Sequence, residues 1–256
     1  MLPRHVKALS ALALWGLCAF FAGAAPRDAA GTTHATDTPF VVVIDPGHTP
    51  TQPGALGAQG LYEVRYNDAL SAKLAKSLRA AGVQVVLTRA PSEDISLEGR
   101  AELANQRQPA LFLALHHDSA QLKYLAKTEV NGKPAYQTLQ PIAGYSIFVS
   151  QRNPHFAQSQ QFAKLLGQAM LALGRPPTLH HAEAIAGENR ELLDAHLGIY
   201  RFDDLLVLRK TTVPAVLLEV GVIVDPVDEK YVADTARQDA IVLAIVAAVA
   251  EFRSGL

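Results

Sequence analysis

Cysteine is nearly missing from this chain. Of 256 residues one is a cysteine, Cys18, and it lies in an apolar N-terminal run. No disulfide can close within the chain, so its core, or a metal, must hold it together. An excess of one charge is missing too. There are 23 basic and 24 acidic residues and a formal net charge of −1, so nothing in the composition calls for a nucleic-acid partner. Charged residues make up only 18% and apolar ones 49%, which argues against a disordered body. The length is enough for one sizeable core and one domain. No internal repeat is visible, and no helix carries two histidines at metal-binding spacing.

The N-terminus follows the plan of a secretory signal. Met1 to Lys7 carries Arg4 and Lys7 and no acid, and Ala8 to Ala25 is uncharged and apolar. Ala22-Gly23-Ala24 then supplies the small residues of a cleavage site. Cleavage is expected after Ala24, because cutting after Ala25 would put Pro26 at the scissile bond. The rival is an uncleaved anchor, since 18 apolar residues just span a bilayer. Leu17 is too bulky before Cys18 for a lipoprotein site. Loss of residues 1–24 removes two positive charges and takes the net charge from −1 to −3. Residues 25–38, "APRDAAGTTHATDT", read as a flexible linker. The expected location is outside the cytoplasm, periplasmic or secreted, with membrane attachment only if the N-terminal segment stays on.

Beyond the linker, apolar runs and helical patterns alternate. "PFVVVI" (39–44) is a buried strand, and 65–81 has helical spacing with Ala69, Leu70, Leu74 and Leu78 on one face before Gly82 stops it. "VQVVLTR" (83–89) is a strand, and "SLEGRAELANQ" (96–106) is a helix capped by Ser96. "ALFLAL" (110–115) is a third strand, running into His116, His117 and Asp118. Strands are expected again at 145–150 and 214–223, helices at 155–173 and 229–252, and a strand or turn at 205–210. Residues 120–143 read as an insertion, and 175–204 are ambiguous. The expected architecture is a single α/β domain over 39–253, a twisted, mostly parallel sheet with helices on both faces.

His48 stands where the first strand opens at "DPGH", and His116 where the third one ends. In open α/β sheets the carboxyl ends of parallel strands share one crevice, so these residues can meet there. Two imidazoles and a carboxylate suit a zinc ion. Glu63, after the glycine-rich loop "PGALGAQGLYE", is the best third candidate. A water in the fourth position would make the site catalytic, with a pKa lowered toward ~7. Glu219 is the most telling residue, because it interrupts the apolar strand "AVLLEVGVI". A buried carboxylate costs several kcal/mol unless paired, bonded or used. Each residue also has a plain reading. His48 can be a hydrogen-bonded strand end, Glu63 a helix-start carboxylate, and Glu219 a partner of Arg209. His117 can replace His116 as ligand, although strand alternation points only one of them at the site. Asp118 can orient a ligand imidazole or cap a turn, and "HHAEAIAGENRE" (180–191) can be solvated surface.

Taken together, "VVVIDPGHTPTQPGALGAQGLYE", "GVQVVLTR", "LEGRAELANQRQPALFLALHHDS" and "VLRKTTVPAVLLEVGVI" resemble the zinc-dependent N-acetylmuramoyl-L-alanine amidases of bacterial cell walls. The resemblance covers roughly 40–251 and is weaker in 120–143 and 175–204. It implies one zinc ion held by His48, Glu63 and His116, with Glu219 as the catalytic glutamate. It implies peptidoglycan as partner and hydrolysis of the amide between the lactyl group of N-acetylmuramic acid and L-alanine. A monomer is expected. The chain departs from the family's pattern in His117, where a small residue is usual, and in "VIVDP" after the glutamate. No separate wall-binding domain is visible. In some relatives a helix occludes the zinc until a protein activator displaces it, and here Glu183, Glu188 or Glu191 is the candidate for such a contact. Two other functions stay open: a zinc peptidase acting within the stem peptide, and a non-catalytic wall-binding protein.

Overall fold

The run Val41–Ile44 has no polar residue to turn toward water, so it is stable only with both faces covered. In the computed structural model, which describes residues 39–256, it forms β1 (Val41–Pro46) inside the principal sheet. The expected signal segment and linker lie outside the described residues. Eight more strands follow: β2 (Gln84–Leu87), β3 (Leu111–Asp118), β4 (Leu125–Val130), β5 (Lys133–Thr138), β6 (Ser146–Val149), β7 (Glu191–Asp194), β8 (Ile199–Arg201) and β9 (Ala215–Val222). The helices are α1 (Glu63–Ala80), α2 (Leu97–Arg107), α3 (Phe156–Ala172), α4 (Leu206–Lys210), α5 (Pro226–Ala233) and α6 (Thr235–Ser254). Seven strands form one sheet in the order β2-β1-β3-β9-β6-β8-β7, and β4 and β5 form a separate hairpin. The pairs β1–β2, β1–β3, β3–β9 and β6–β8 are parallel, and β6–β9 and β7–β8 are antiparallel.

Alternation along β3 divides the core between the two faces. Leu111, Leu113 and Leu115 join Leu70, Leu74, Phe162, Ile245 and Phe252 under α1, α3 and α6. Phe112 and Ala114 join Ala104, Leu208 and Leu217 under α2 and α4. A leucine sealed in either layer stabilises the fold by roughly 1.5–3 kcal/mol. On α1, Leu70, Leu74 and Leu78 are buried as their spacing predicts, but Ala69 is exposed and Tyr66, Asn67, Ser71 and Ala75 are buried instead. Tyr66 and Asn67 lie against His117 of β3. Ser96 caps α2, its hydroxyl accepting from Gly99 N at 3.0 Å.

Three segments differ from the sequence reading. Residues 206–210 are helical and not a strand, because Val207 and Leu208 pack on α2 and no sheet edge is offered to them. The closing helix is broken in two. Asp225 caps α5 ahead of Pro226, and Asp234 caps α6 by accepting from Arg237 N at 2.9 Å. The ambiguous stretch 175–204 contributes β7 and β8 to the sheet edge. No helix among the described residues is long and apolar enough to cross a membrane.

Asp45 sits in β1 at 1% exposure, and a carboxylate there requires a cation. Arg100 of α2, itself 2% exposed, supplies it, and Thr88 donates to the same oxygen. Arg100 also donates to the carbonyls of Pro46 at 2.7 Å and His48 at 2.6 Å. Arg100→Ala therefore leaves a buried charge and unbonded carbonyls. We expect a loss of about 3–5 kcal/mol in urea denaturation at pH 7. A loss below about 1 kcal/mol would show that the pair is not buried in solution.

Candidate metal centre

The end of β1 is built to hold an unusual backbone. His48 has φ = 63°, a left-handed conformation that costs a non-glycine residue roughly 1–3 kcal/mol and persists only when its surroundings impose it. The clamps are visible. Arg89 Nε donates to the His48 carbonyl at 2.8 Å, and Arg89 Nη2 and Asn67 Nδ2 donate to the Gly47 carbonyl at 3.1 and 3.2 Å. Gly47 must be glycine for lack of space, since a Cβ there would lie 2.4 Å from the His116 ring. Gly54, at φ = +77°, lies equally close to the site, and its Cβ would stand 2.4 Å from Glu63 Oε2.

These constraints bring three expected ligands together. Glu63 opens α1, and Glu63 Oε2 lies 2.8 Å from His48 Nε2. Glu63 Oε1 lies 3.0 Å from His116 Nδ1. Ligands at 2.0–2.1 Å from a tetrahedral zinc stand roughly 3.3 Å apart, so this spacing fits an ion with little movement. Glu63 also accepts from Asn67 Nδ2 and from the His117 amide, each at 3.1 Å. Burial on its own would raise the Glu63 pKa. The hydrogen bonds and electrostatic attraction of His116 and His48 outweigh it and hold the carboxyl well below its usual range. The donor set is thus an ionised carboxylate and two imidazoles, which is chemistry suited to zinc.

Glu219 stands beside this triad. It is the register partner of His116 on β9, so the two side chains share a face of the sheet on strands about 4.8 Å apart. Its Oε2 is sealed from solvent and has no hydrogen-bond partner. Burial, then the charges of Asp118 and Glu63, raise its pKa well above the ordinary value. Arg209, the partner it could have had, pairs with Asp204 instead. The register slips by one residue between His116 and Asp118 where they face Glu219 and Val222, a bulge of the kind that re-aims side chains beside active sites.

His117 turns to the other face. Its Nδ1 lies 2.7 Å from Asn67 Oδ1, and it is 2% exposed. Burial lowers its pKa to about 3, so the ring is neutral in the folded chain. The unfolded ring takes a proton near pH 6.5 and the folded one does not until about 3. Stability from this residue is complete above pH ~6.5 and falls by up to ~1.4 kcal/mol per pH unit below it. In urea denaturation of metal-free protein at pH 7 and 5, wild type should lose more stability than His117→Gln; equal losses would mean that the ring is solvated.

A cavity of ≈ 660 Å³ opens beside His48 and His116, with Ile95, Leu97, Leu205 and Leu217 among its walls. A smaller one of ≈ 240 Å³ shares Leu205 and Leu217 with it and is bordered by Glu219, Asp118 and His181. The carboxylates considered for occlusion are engaged elsewhere. Glu183 bonds Tyr124, Glu188 lies 2.8 Å from His181 Nδ1, and Glu191 lies 2.6 Å from Arg201 Nη1. Asp118 meets His181 Nε2 at 2.8 Å and does not orient His116.

Comparison with known proteins decides the family. The family described as N-acetylmuramoyl-L-alanine amidase matches residues 42–251. The chain belongs to that family. The N-acetylmuramoyl-L-alanine amidase AmiA of Escherichia coli is 26% identical over 218 residues, covering 83% of this chain and 75% of that one. The crystal structure of the N-acetylmuramyl-L-alanine amidase Ami1 of Mycobacterium smegmatis superposes with a TM-score of 0.67 at 21% identity, over 85% of this chain and 98% of that one. The CwlD amidase of Clostridioides difficile, solved in complex with the GerS lipoprotein, gives 0.62 at 19% identity, over 84% and 99%. The two structures show that the amidase fold is shared.

Sequence reasoning missed the supports of the candidate site. Arg89, Arg100 and Asn67 read as ordinary polar helix or strand-end residues. The usable signal was Asp45, since a carboxylate at the end of an apolar strand implies a buried cation. Glu229 was also missed. It is fully buried and accepts from Tyr66 Oη and Gln59 N, both at 2.6 Å, which ties the loop before Glu63 to α5.

Proposed function

We propose that this chain is a peptidoglycan amidase that hydrolyses the bond between the lactyl group of N-acetylmuramic acid and L-alanine of the stem peptide, using zinc held by His48, Glu63 and His116. One observation carries the reading. The triad faces a carboxyl, Glu219, whose Oε2 is buried without any partner in the protein. An orphaned group of this kind costs stability and is kept where it has work to do. When bound, zinc supplies Lewis acidity toward the lactyl carbonyl and acidifies a water.

The protein's own groups do the rest. Glu63, ionised and fixed by Asn67 and the His117 amide, would hold the ion together with the two imidazoles. Glu219 takes a proton from the attacking water and delivers it to the alanine nitrogen as the carbon–nitrogen bond breaks. The glycan keeps a carboxylate and the peptide leaves with a free amine. Burial raises the pKa of Glu219 and a cation bound at the triad would lower it, and these opposed effects let one carboxyl first accept and then release the proton. The cavity beside His48 and His116 gives substrate an approach.

The catalytic domain is proposed to span 39–253, and the N-terminal segment to direct export to the periplasm or beyond. An activating partner would have to work by some route other than drawing Glu183, Glu188 or Glu191 off the triad. Digesting purified sacculi or muropeptides and weighing the products tests the function. The expected products are unsubstituted glycan and intact stem peptides beginning with L-alanine. Cleavage within the stem would make the enzyme a peptidase, and no products would leave it a wall-binding protein.

A further inference from the structure

A second set of donors borders the same small cavity as Glu219. Asp118 ends β3, and His180 and His181 lie in the short turn His180–Ala182 that precedes β7. One donor atom from each lies within 4.8 Å of the others. We propose that Asp118, His180 and His181 form a second site for a divalent first-row transition metal, zinc among them.

The spacing is that of ligands around one ion. Asp118 Oδ2 lies 2.8 Å from His181 Nε2 and 3.4 Å from His180 Nε2, close to the ~3.3 Å expected between tetrahedral zinc ligands. The outer atom of each ligand is already occupied. His181 Nδ1 lies 2.8 Å from Glu188 Oε2, the carboxylate–imidazole arrangement that fixes a metal-binding tautomer. His180 Nδ1 lies 2.9 Å from Thr178 Oγ1, and Asp118 Oδ1 accepts from Ser119 N at 2.8 Å. Of the inner atoms, Asp118 Oδ2 and His181 Nε2 share a hydrogen bond that a metal would replace, and His180 Nε2 has no partner.

His180 Nε2 supplies the independent observation. It is buried without a hydrogen-bond partner, on a residue 5% exposed, and it is aimed at Asp118. If Nδ1 donates its proton to Thr178, Nε2 presents a lone pair to a carboxylate oxygen, an opposition of two acceptors that a bound cation would relieve. Two imidazoles and one carboxylate favour a transition metal over magnesium or calcium, which prefer oxygen donors. The ≈ 240 Å³ cavity bordered by Asp118, His181 and Glu219 leaves room for entry and for a fourth ligand. An ion here would fasten the 178–190 segment to the end of β3, next to the proposed proton carrier. The inference goes beyond the amidase reading and shares none of the triad's ligands.

The test is zinc stoichiometry. Tag-free full chain is stripped with chelator, titrated with zinc chloride, desalted and measured by mass spectrometry of the metal. Wild type should hold two equivalents, His180→Gln one, and His48→Ala one. Cobalt(II) loaded into His48→Ala should give d–d absorption bands, and these should disappear in His48→Ala/His180→Gln. A single equivalent in wild type that folded His180→Gln retains overturns the proposal and means that a proton holds the cluster. Two equivalents that persist in folded His180→Gln overturn it as well, by placing the second ion elsewhere. Failure of the triad itself is distinguishable, because His48→Ala would then bind as much zinc as wild type.

Discussion

Glu219→Gln should lower muropeptide hydrolysis by about 10²–10⁴-fold, the range that a positioned proton carrier contributes. An amide has nearly the same shape but cannot accept a proton from water. Zinc content should not change, since Glu219 is not among the proposed ligands. Nor should the fold suffer. A buried acid with a raised pKa holds its proton in the folded state after the unfolded chain has lost it. Its contribution to stability therefore falls as pH rises above the ordinary carboxylate range. The glutamine variant avoids that loss, so metal-free Glu219→Gln should melt at or above the wild-type temperature at pH 7. Lysis of cell walls at the wild-type rate would remove Glu219 from the mechanism. A variant that fails to fold would show instead that the carboxyl has a structural partner in solution.

His48→Ala and His116→Ala should each lose one equivalent of zinc and the activity with it. The stability linked to that ion goes as well, because binding free energy to the folded state adds to folding free energy. At free zinc 1,000-fold above the dissociation constant the gain is about 4 kcal/mol, which for a domain of this size is on the order of 10 °C in melting temperature. Zinc should therefore raise the melting temperature of wild type more than that of either variant. Glu63 would then face one imidazole fewer, and its carboxyl, which burial pushes upward, would titrate nearer the ordinary range. Unchanged zinc stoichiometry in both variants would mean that the ligands are assigned wrongly.

Much of this was readable from local chemistry. The strand exits at His48 and His116 follow from apolar runs that end in turn residues, and the fold class follows from the alternation of strands and helices. Glu219 was visible because a carboxylate in an apolar strand is anomalous wherever it occurs. The supports were harder to see. Arg100 pairs with Asp45 across 55 positions, and Arg89 reaches the His48 carbonyl across 41, so neither has a local signature. The run "HHAEAIAGENRE" has the composition of solvated surface, yet His180 and Glu188 are buried in it. The closing helix has one continuous periodicity, and only the caps at Asp225 and Asp234 reveal that it is two.

The order of residues along the chain determined the covered sheet, the family and the polar groups that interrupt apolar strands, because burial periodicity and the cost of isolated charge act over a few neighbours. Tertiary structure decided which of those groups meet. A bulge opposite His116, a left-handed backbone at His48 and the missing Cβ of Gly47 set which imidazole reaches Glu63, and two arginines far away in the chain hold that geometry. Convergence within a few ångströms depends on register and packing between segments, and these exist only once the sheet has formed.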